Sequence, residues 1–300
     1  MQNHKKGIIY AIITALFWGV LAIALKVAVK RVDPATIVWF RFVLAFIPLL
    51  AWSLIRNPVN LKILVKPPLI LVIAAIALAI NYLGFNLGVK YTSPGNAQLF
   101  VQIGQILLAL AGIILWNERF TKIQAMGFIL AVAGLLLFYN QQLLHFSYNR
   151  GEYNKGIFIT VTAAVTWTVY AVLQKKLVVR HSAAALNLFL FGFPSIIYLP
   201  LVNFSQLSGL NFAWWLLMAF LGLNTLVAYS TLALSLRYLE ASKVSIILIM
   251  NPLITFVIMG VLTGLNVSWI APEKFTILSV TGVFGVIAGA MMVLRKKKIP

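Results

Sequence analysis

Residues Gly7–Lys26 read GIIYAIITALFWGVLAIALK, and 149 positions later Gly156–Lys175 read GIFITVTAAVTWTVYAVLQK. Each stretch is nearly all apolar and about 20 residues long, which is what an α-helix needs to cross a ~30 Å hydrocarbon core. The offset aligns Gly7-Ile8-Ile9 with Gly156-Ile157-Phe158, Ala15 with Ala164, Trp18 with Trp167 and Lys26 with Lys175. Further along, an offset of 147 pairs Tyr82 with Tyr229, Lys90-Tyr91 with Arg237-Tyr238, and Gln105 with Pro252. An offset of 155 pairs Gly127 and Gly134 with Gly282 and Gly289. One membrane unit is written twice along the chain.

The rest of the sequence fits that unit. Of 300 residues, 62% are hydrophobic and 10% charged, against about 25% charged in soluble domains. Such a chain cannot cover itself with polar groups, so a soluble enzyme and a disordered chain are excluded. Hydropathy predicts an all-α membrane protein with ten transmembrane helices: Gly7–Val29, Pro34–Leu54, Pro68–Lys90, Ser93–Leu115, Ile123–Gln141, Lys155–Val178, Ser182–Leu201, Trp214–Tyr238, Ser242–Leu262 and Phe275–Leu294. Helix is the open-chain structure that satisfies its own backbone in lipid. The first stretch follows Lys5-Lys6 but is too long for a signal peptide, and no small-residue cleavage pattern follows it. The expected organisation is a five-helix repeat over 7–141, a linker over 142–154 and a second repeat over 155–294.

The net charge of +19 would suggest nucleic acid in a soluble protein; between apolar spans it sets orientation instead. With the N-terminus inside, sixteen basic residues fall on the inner side and seven on the outer, with Arg41 within a span. This bias predicts both termini in the cytoplasm. Five spans per repeat is an odd number, so the second copy enters the membrane upside down. Inverted repeats are the architecture of many secondary transporters, because one bundle facing both ways has two similar states open to opposite sides.

Phe17-Trp18-Gly19 in the first span, Arg41-Phe42 in the second, Lys90-Tyr91-Thr92-Ser93-Pro94-Gly95-Asn96-Ala97 and Trp116-Asn117-Glu118-Arg119 continue into Arg237-Tyr238-Leu239-Glu240-Ala241-Ser242 and Asn251-Pro252-Leu253. In this order and spacing the chain resembles the drug/metabolite transporter superfamily, specifically two tandem EamA-type domains. The resemblance covers nearly the whole chain. It implies a ten-span transporter of small organic metabolites in a bacterial inner membrane. The family usually repeats the acidic residue after the ninth span; here Thr263-Gly264-Leu265-Asn266 has none.

Polar groups inside spans are costly and point to function. Gln98, Gln102 and Gln105 follow i, i+4, i+7 and share one helical face. They read as a wet cavity wall or as interhelical hydrogen bonding. Trp18 and Trp167 lie mid-span, away from the interfaces tryptophan favours. With Thr14 in the first span, and Ala163, Tyr170 and Gln174 in the sixth, they read as an aromatic clamp or as core. Asn81, Tyr82 and Asn86 are polar beside Gly84 and Gly88, which let another backbone approach; Asn224 and Tyr229 match them in the eighth span. Asn251-Pro252 breaks the ninth, freeing carbonyls for a solute or only kinking it.

Arg41 lies about 10 Å below its span's outer end, with no acid expected at that depth. It either snorkels or receives an anionic group such as a substrate carboxylate. The acids Asp33, Glu118, Glu152, Glu240 and Glu273, and the histidines His4, His145 and His181, are all peripheral. With no cysteine and no metal-ligand spacing, no cofactor or metal is expected, and a proton relay is disfavoured. The expected partners are the lipid bilayer and a small-molecule substrate, not nucleic acid; monomer and homodimer stay open. The leading function is transport of small organic metabolites by alternating access, with export the expected direction and amino acids the first substrate class; amphipathic drugs and nucleotide sugars stay open. A non-transporting structural subunit or a membrane-embedded enzyme are the alternatives.

Overall fold

The computed structural model describes residues 2–119, 121–140, 143, 151–270 and 276–294. All regular structure among the described residues is helical: α1 Gln2–Ala28, α2 Pro34–Arg56, α3 Leu69–Tyr91, α4 Pro94–Trp116, α5 Lys122–Phe138, α6 Glu152–Leu177, α7 Ala183–Ile197, α8 Phe212–Tyr238, α9 Ala241–Leu248, α10 Asn251–Gly264 and α11 Ile277–Leu294. Eight helical segments are long and apolar enough to cross a membrane, with α9 and α10 counted together as Ala241–Gly264. The shorter apolar helices α5 and α7 have 17 and 15 residues.

Starts are set by local chemistry. Asp33 caps α2 by accepting from the Ala35 and Thr36 amides, with Pro34 just inside the helix. Ser93, Ser182 and Asn211 cap α4, α7 and α8 the same way, and Thr121 with Gln124 forms a capping box on α5. Several expected boundaries move. The first helix begins at Gln2 rather than Gly7. The seventh ends at Ile197 rather than Leu201, because Pro200 lacks an amide hydrogen and Leu199–Leu201 tightens into a 3-10 turn. The ninth span breaks at Ile249-Met250, just before Asn251-Pro252. Residues 152–154, expected in the linker, already belong to α6. The rest of that linker apart from Leu143 and Gly151 lies outside the described residues, as do Gln141, the expected start at Phe275 and the basic tail Arg295–Lys298.

Packing follows pairs: α1 against α8, α3 against α6, α5 against α11, and α2 against both α7 and α8. In the α5–α11 pair the backbones touch. A Cβ on Gly134 would lie 2.6 Å from the Val286 amide nitrogen, and one on Gly127 2.7 Å from the Gly289 carbonyl.

Positions related by the sequence offsets make related contacts. Thr14 on α1 donates to the Ala228 carbonyl on α8 (3.2 Å), while Asn81 on α3 donates to the Ala163 carbonyl on α6 (2.9 Å). Lys26 Nζ reaches the Val89 and Thr92 carbonyls at the end of α3 (2.9 and 2.6 Å). Lys175 Nζ reaches Leu236 and Leu239 at the end of α8 (3.4 and 2.7 Å). Asn117 and Asn266, 149 apart, are the two non-glycine residues with positive φ among those described, at 50° and 52°.

Candidate functional site

The motif in α1 is held by three neighbours at once. Successive carbonyls on a helix point about 100° apart. The Phe17 carbonyl accepts from Asn224 Nδ2 on α8 (2.6 Å). The Trp18 carbonyl accepts from Gln98 Nε2 on α4 (3.0 Å), and the Gly19 carbonyl from Thr255 Oγ1 on α10 (2.6 Å). A Cβ on Gly19 would press on Ile254, so glycine lets α10 come this close. These bonds fix the height and rotation of Trp18, whose ring starts an aromatic cluster. Trp18 lies edge-on to Trp167 (centroids 5.8 Å apart, 77°) and to Tyr229 (5.4 Å, 61°). Tyr229 lies 5.3 Å from Tyr82, which lies 4.3 Å from Phe42.

Arg41 enters this cluster from α2. It is 2% exposed. Its Nε donates to Thr225 Oγ1 (3.0 Å), and its guanidinium carbon stands 4.5 Å from the centre of the Tyr82 ring. The ring face offsets part of the charge. Among the described residues no carboxylate pairs with Arg41. A buried guanidinium with one polar partner and one ring keeps most of its capacity for a bidentate anion.

These groups surround one cavity of about 50 Å³, room for a few waters. Ten of the polar and aromatic span residues singled out in the sequence line it: Trp18, Arg41, Asn81, Tyr82, Asn86, Gln98, Gln105, Trp167, Tyr229 and Asn251. Thr14, Gln102, Tyr170, Gln174 and Asn224 do not. Gln102 stands about 40° beyond Gln98 on the helix, past the arc from Val101 to Gln98 that lines the cavity; it is buried with both amide atoms lacking a hydrogen bond. Tyr170 packs on the Tyr229 ring at 5.6 Å without reaching the cavity. Leu21, Phe85 and Val101 also line it; as apolar residues in apolar spans they carry no sequence signal. Four lining oxygens, Tyr82 Oη, Asn86 Oδ1, Gln105 Oε1 and Asn251 Oδ1, have no hydrogen-bond partner.

The profile of the EamA-like transporter family matches residues 5–140 and again residues 154–295. The chain belongs to the EamA-like transporter family. It is 30% identical over 293 residues to the "Uncharacterized inner membrane transporter YhbE" of Escherichia coli K12, covering 97% of this chain and 91% of that one. It is 29% identical over 292 residues to an "Uncharacterized transporter" of Haemophilus influenzae, covering 97% and 95%. A solved crystal structure shares the fold at TM-score 0.74 and 18% identity, over 97% of this chain and 98% of the other. The chain is thus a multi-pass membrane transporter.

The acidic residue of this family member acts at one end of the bundle. Asn117 turns into the left-handed region, and Glu118 folds back beside Gly112, where a Cβ would collide with it. Its Oε1 accepts from the Ala241 amide (2.7 Å) and its Oε2 from the Ser242 amide (3.0 Å), capping α9. Lys175 stands 3.9 Å from the same carboxylate and 5.4 Å from the Trp116 ring. Lys175 also holds the end of α8, so α4, α6, α8 and α9 are tied at this face. At the other face, Lys26 holds α3, and the position 149 after Glu118 is Val267.

Proposed function

We propose that this chain moves small organic solutes bearing a carboxylate, amino acids among them, outward across a bacterial inner membrane by alternating access. In this reading ten helices cross the membrane as an inverted repeat of two five-helix halves, with both termini in the cytoplasm. The carrying observation is Arg41, buried on the cavity wall without a counter-ion. Holding such a charge is expensive unless an anion periodically meets it. The carboxylate takes the guanidinium. An ammonium takes the donor-free oxygens of Asn86, Gln105 and Asn251, and an apolar side chain takes the faces of Trp18 and Trp167. The present cavity is smaller than a metabolite site of ~300 Å³ or more, so the rings must part to admit one. The paired contacts of Thr14–Ala228 and Asn81–Ala163, and of the two lysines, support two halves of similar energy. The test is counterflow of labelled amino acids in liposomes holding the purified protein, which needs no driving gradient. Saturable exchange that competes with unlabelled amino acid supports the reading. Folded protein that exchanges no amino acid removes this substrate class and leaves family membership untouched.

A further inference from the structure

A second recess, of about 800 Å³, opens where the loop after α2 meets the turn between α6 and α7. Its basic side chains are Lys62, Lys66, Arg180 and His181, and among the described residues no acidic one lines it. The cap Ser182 and Ala185 in the first turn of α7 also line it, so the positive end of a 15-residue helix adds to the cations. Asn60 lines the same recess and is 5% exposed. Its Oδ1 accepts from Ser182 Oγ (2.9 Å), while its Nδ2 is buried without an acceptor. The unpartnered polar atom here is a donor set among cations, and a buried donor lacking its acceptor is costly.

The corresponding place in the other half is built differently. Ser182 lies 149 positions after Asp33. Asp33 caps α2 with a carboxylate that takes the Ala35 and Thr36 amides and the Thr36 hydroxyl, while its own amide donates to Gln206. That end supplies its own negative charge. The α7 end, with a neutral serine, does not. Beside the cations the rim is greasy: Val59 is 66% and Val65 81% exposed. A cationic floor with an apolar rim at a membrane surface suits a phosphate that carries acyl chains.

We propose that this recess binds the phosphate headgroup of an acidic phospholipid, on the face that the basic-residue bias places in the cytoplasm. The phosphate accepts from Asn60 Nδ2 and the α7 amides and lies among Lys62, Lys66 and Arg180. The acyl chains run over Val59 and Val65. The site is separate from the central cavity and does not depend on which solute is carried.

The test uses the purified full chain in neutral detergent, with lipid retention read by native mass spectrometry. Wild type is expected to retain one phosphatidylglycerol and to release phosphatidylcholine. Lys62→Gln with Arg180→Gln is expected to weaken retention roughly thirtyfold, about fivefold for each cation. Lys5→Gln with Lys6→Gln removes the same charge elsewhere at that end and is expected to change nothing. Ser182→Asp keeps a good helix cap and places a carboxylate where the phosphate would lie, so it should fold normally and lose the lipid. Equal weakening by both double variants, undiminished retention in Ser182→Asp, or equal retention of phosphatidylcholine would overturn the proposal. Inorganic phosphate displacing the lipid at equal concentration would overturn the lipid assignment in favour of a free phosphate.

Discussion

Arg41 concentrates the residue-scale argument. Its one side-chain hydrogen bond to Thr225 fixes the guanidinium plane, and the Tyr82 ring supports it from one side. In the proposed role, the remaining donors meet the solute carboxylate. Arg41→Gln keeps a polar side chain that reaches about as far as Nε and removes the charge. It should raise the half-saturating solute concentration in counterflow about 10- to 100-fold, the worth of a hydrogen-bonded charge pair, while the protein still inserts. Thr225→Val frees Nε without touching the charge and should cost less, about 10-fold or under. Unchanged saturation in Arg41→Gln would take the residue out of solute binding. Much of this wall was legible in sequence because a charge, an amide or a mid-span tryptophan stands out against lipid-like neighbours. Arg41, Trp18, Gln98 and Asn251 announced themselves that way. Leu21 and Phe85 did not, nor did Thr225 beside Arg41, since nothing about a threonine or an apolar residue in a span says which way it points. Gln102 misled for a related reason: a shared helical stripe is wider than the arc that one cavity samples.

At the scale of elements, hydropathy located the helices and local chemistry moved their ends. Pro200 shortened α7, whereas Pro48 and Pro194 sit inside α2 and α7 without ending them. Such tolerance depends on neighbours that no linear pattern displays. The tie at Glu118 was likewise half legible. The acid in its motif could be seen, but its partners at Ala241 and Ser242 lie more than 120 positions away. The carboxylate is buried and bonded to two amides, with Lys175 nearby. Glu118→Gln turns one acceptor into a donor facing an amide hydrogen. It should lower the stability of the purified protein by about 1–3 kcal/mol in thermal unfolding. Glu240→Gln breaks the Lys243 pair, whose carboxylate is half exposed, and should stay within about 0.5 kcal/mol because solvent screens that pair. Equal shifts in the two variants would reduce the Glu118 tie to an ordinary surface contact. In the alternating-access proposal this tie has a further meaning. The position equivalent to Glu118 at the other face is Val267, so the contacts that close the two faces are not equal.

For the whole molecule, the proposed inversion depends on the two shortest helices. α5 and α7 rise roughly 25 and 22 Å at 1.5 Å per residue, below a typical hydrocarbon thickness, so each must be shown to cross. Three exposed positions decide it. Asn57 follows two crossings, Val179 follows six if α5 crosses and five if it does not, and Ser205 follows seven if α5 and α7 both cross. Because the chain has no cysteine, single-cysteine variants label without background. With a membrane-impermeant maleimide on intact cells, Ser205→Cys should react at once, while Asn57→Cys and Val179→Cys should react only after permeabilisation. Val179→Cys reacting from outside would mean that α5 does not cross, and Ser205→Cys protected while Val179→Cys also stays protected would mean that α7 does not. Either result leaves the halves with unequal numbers of crossings. The two halves would then not be complete inverted copies of one another, and the physical basis for two repeat-related open states would be lost.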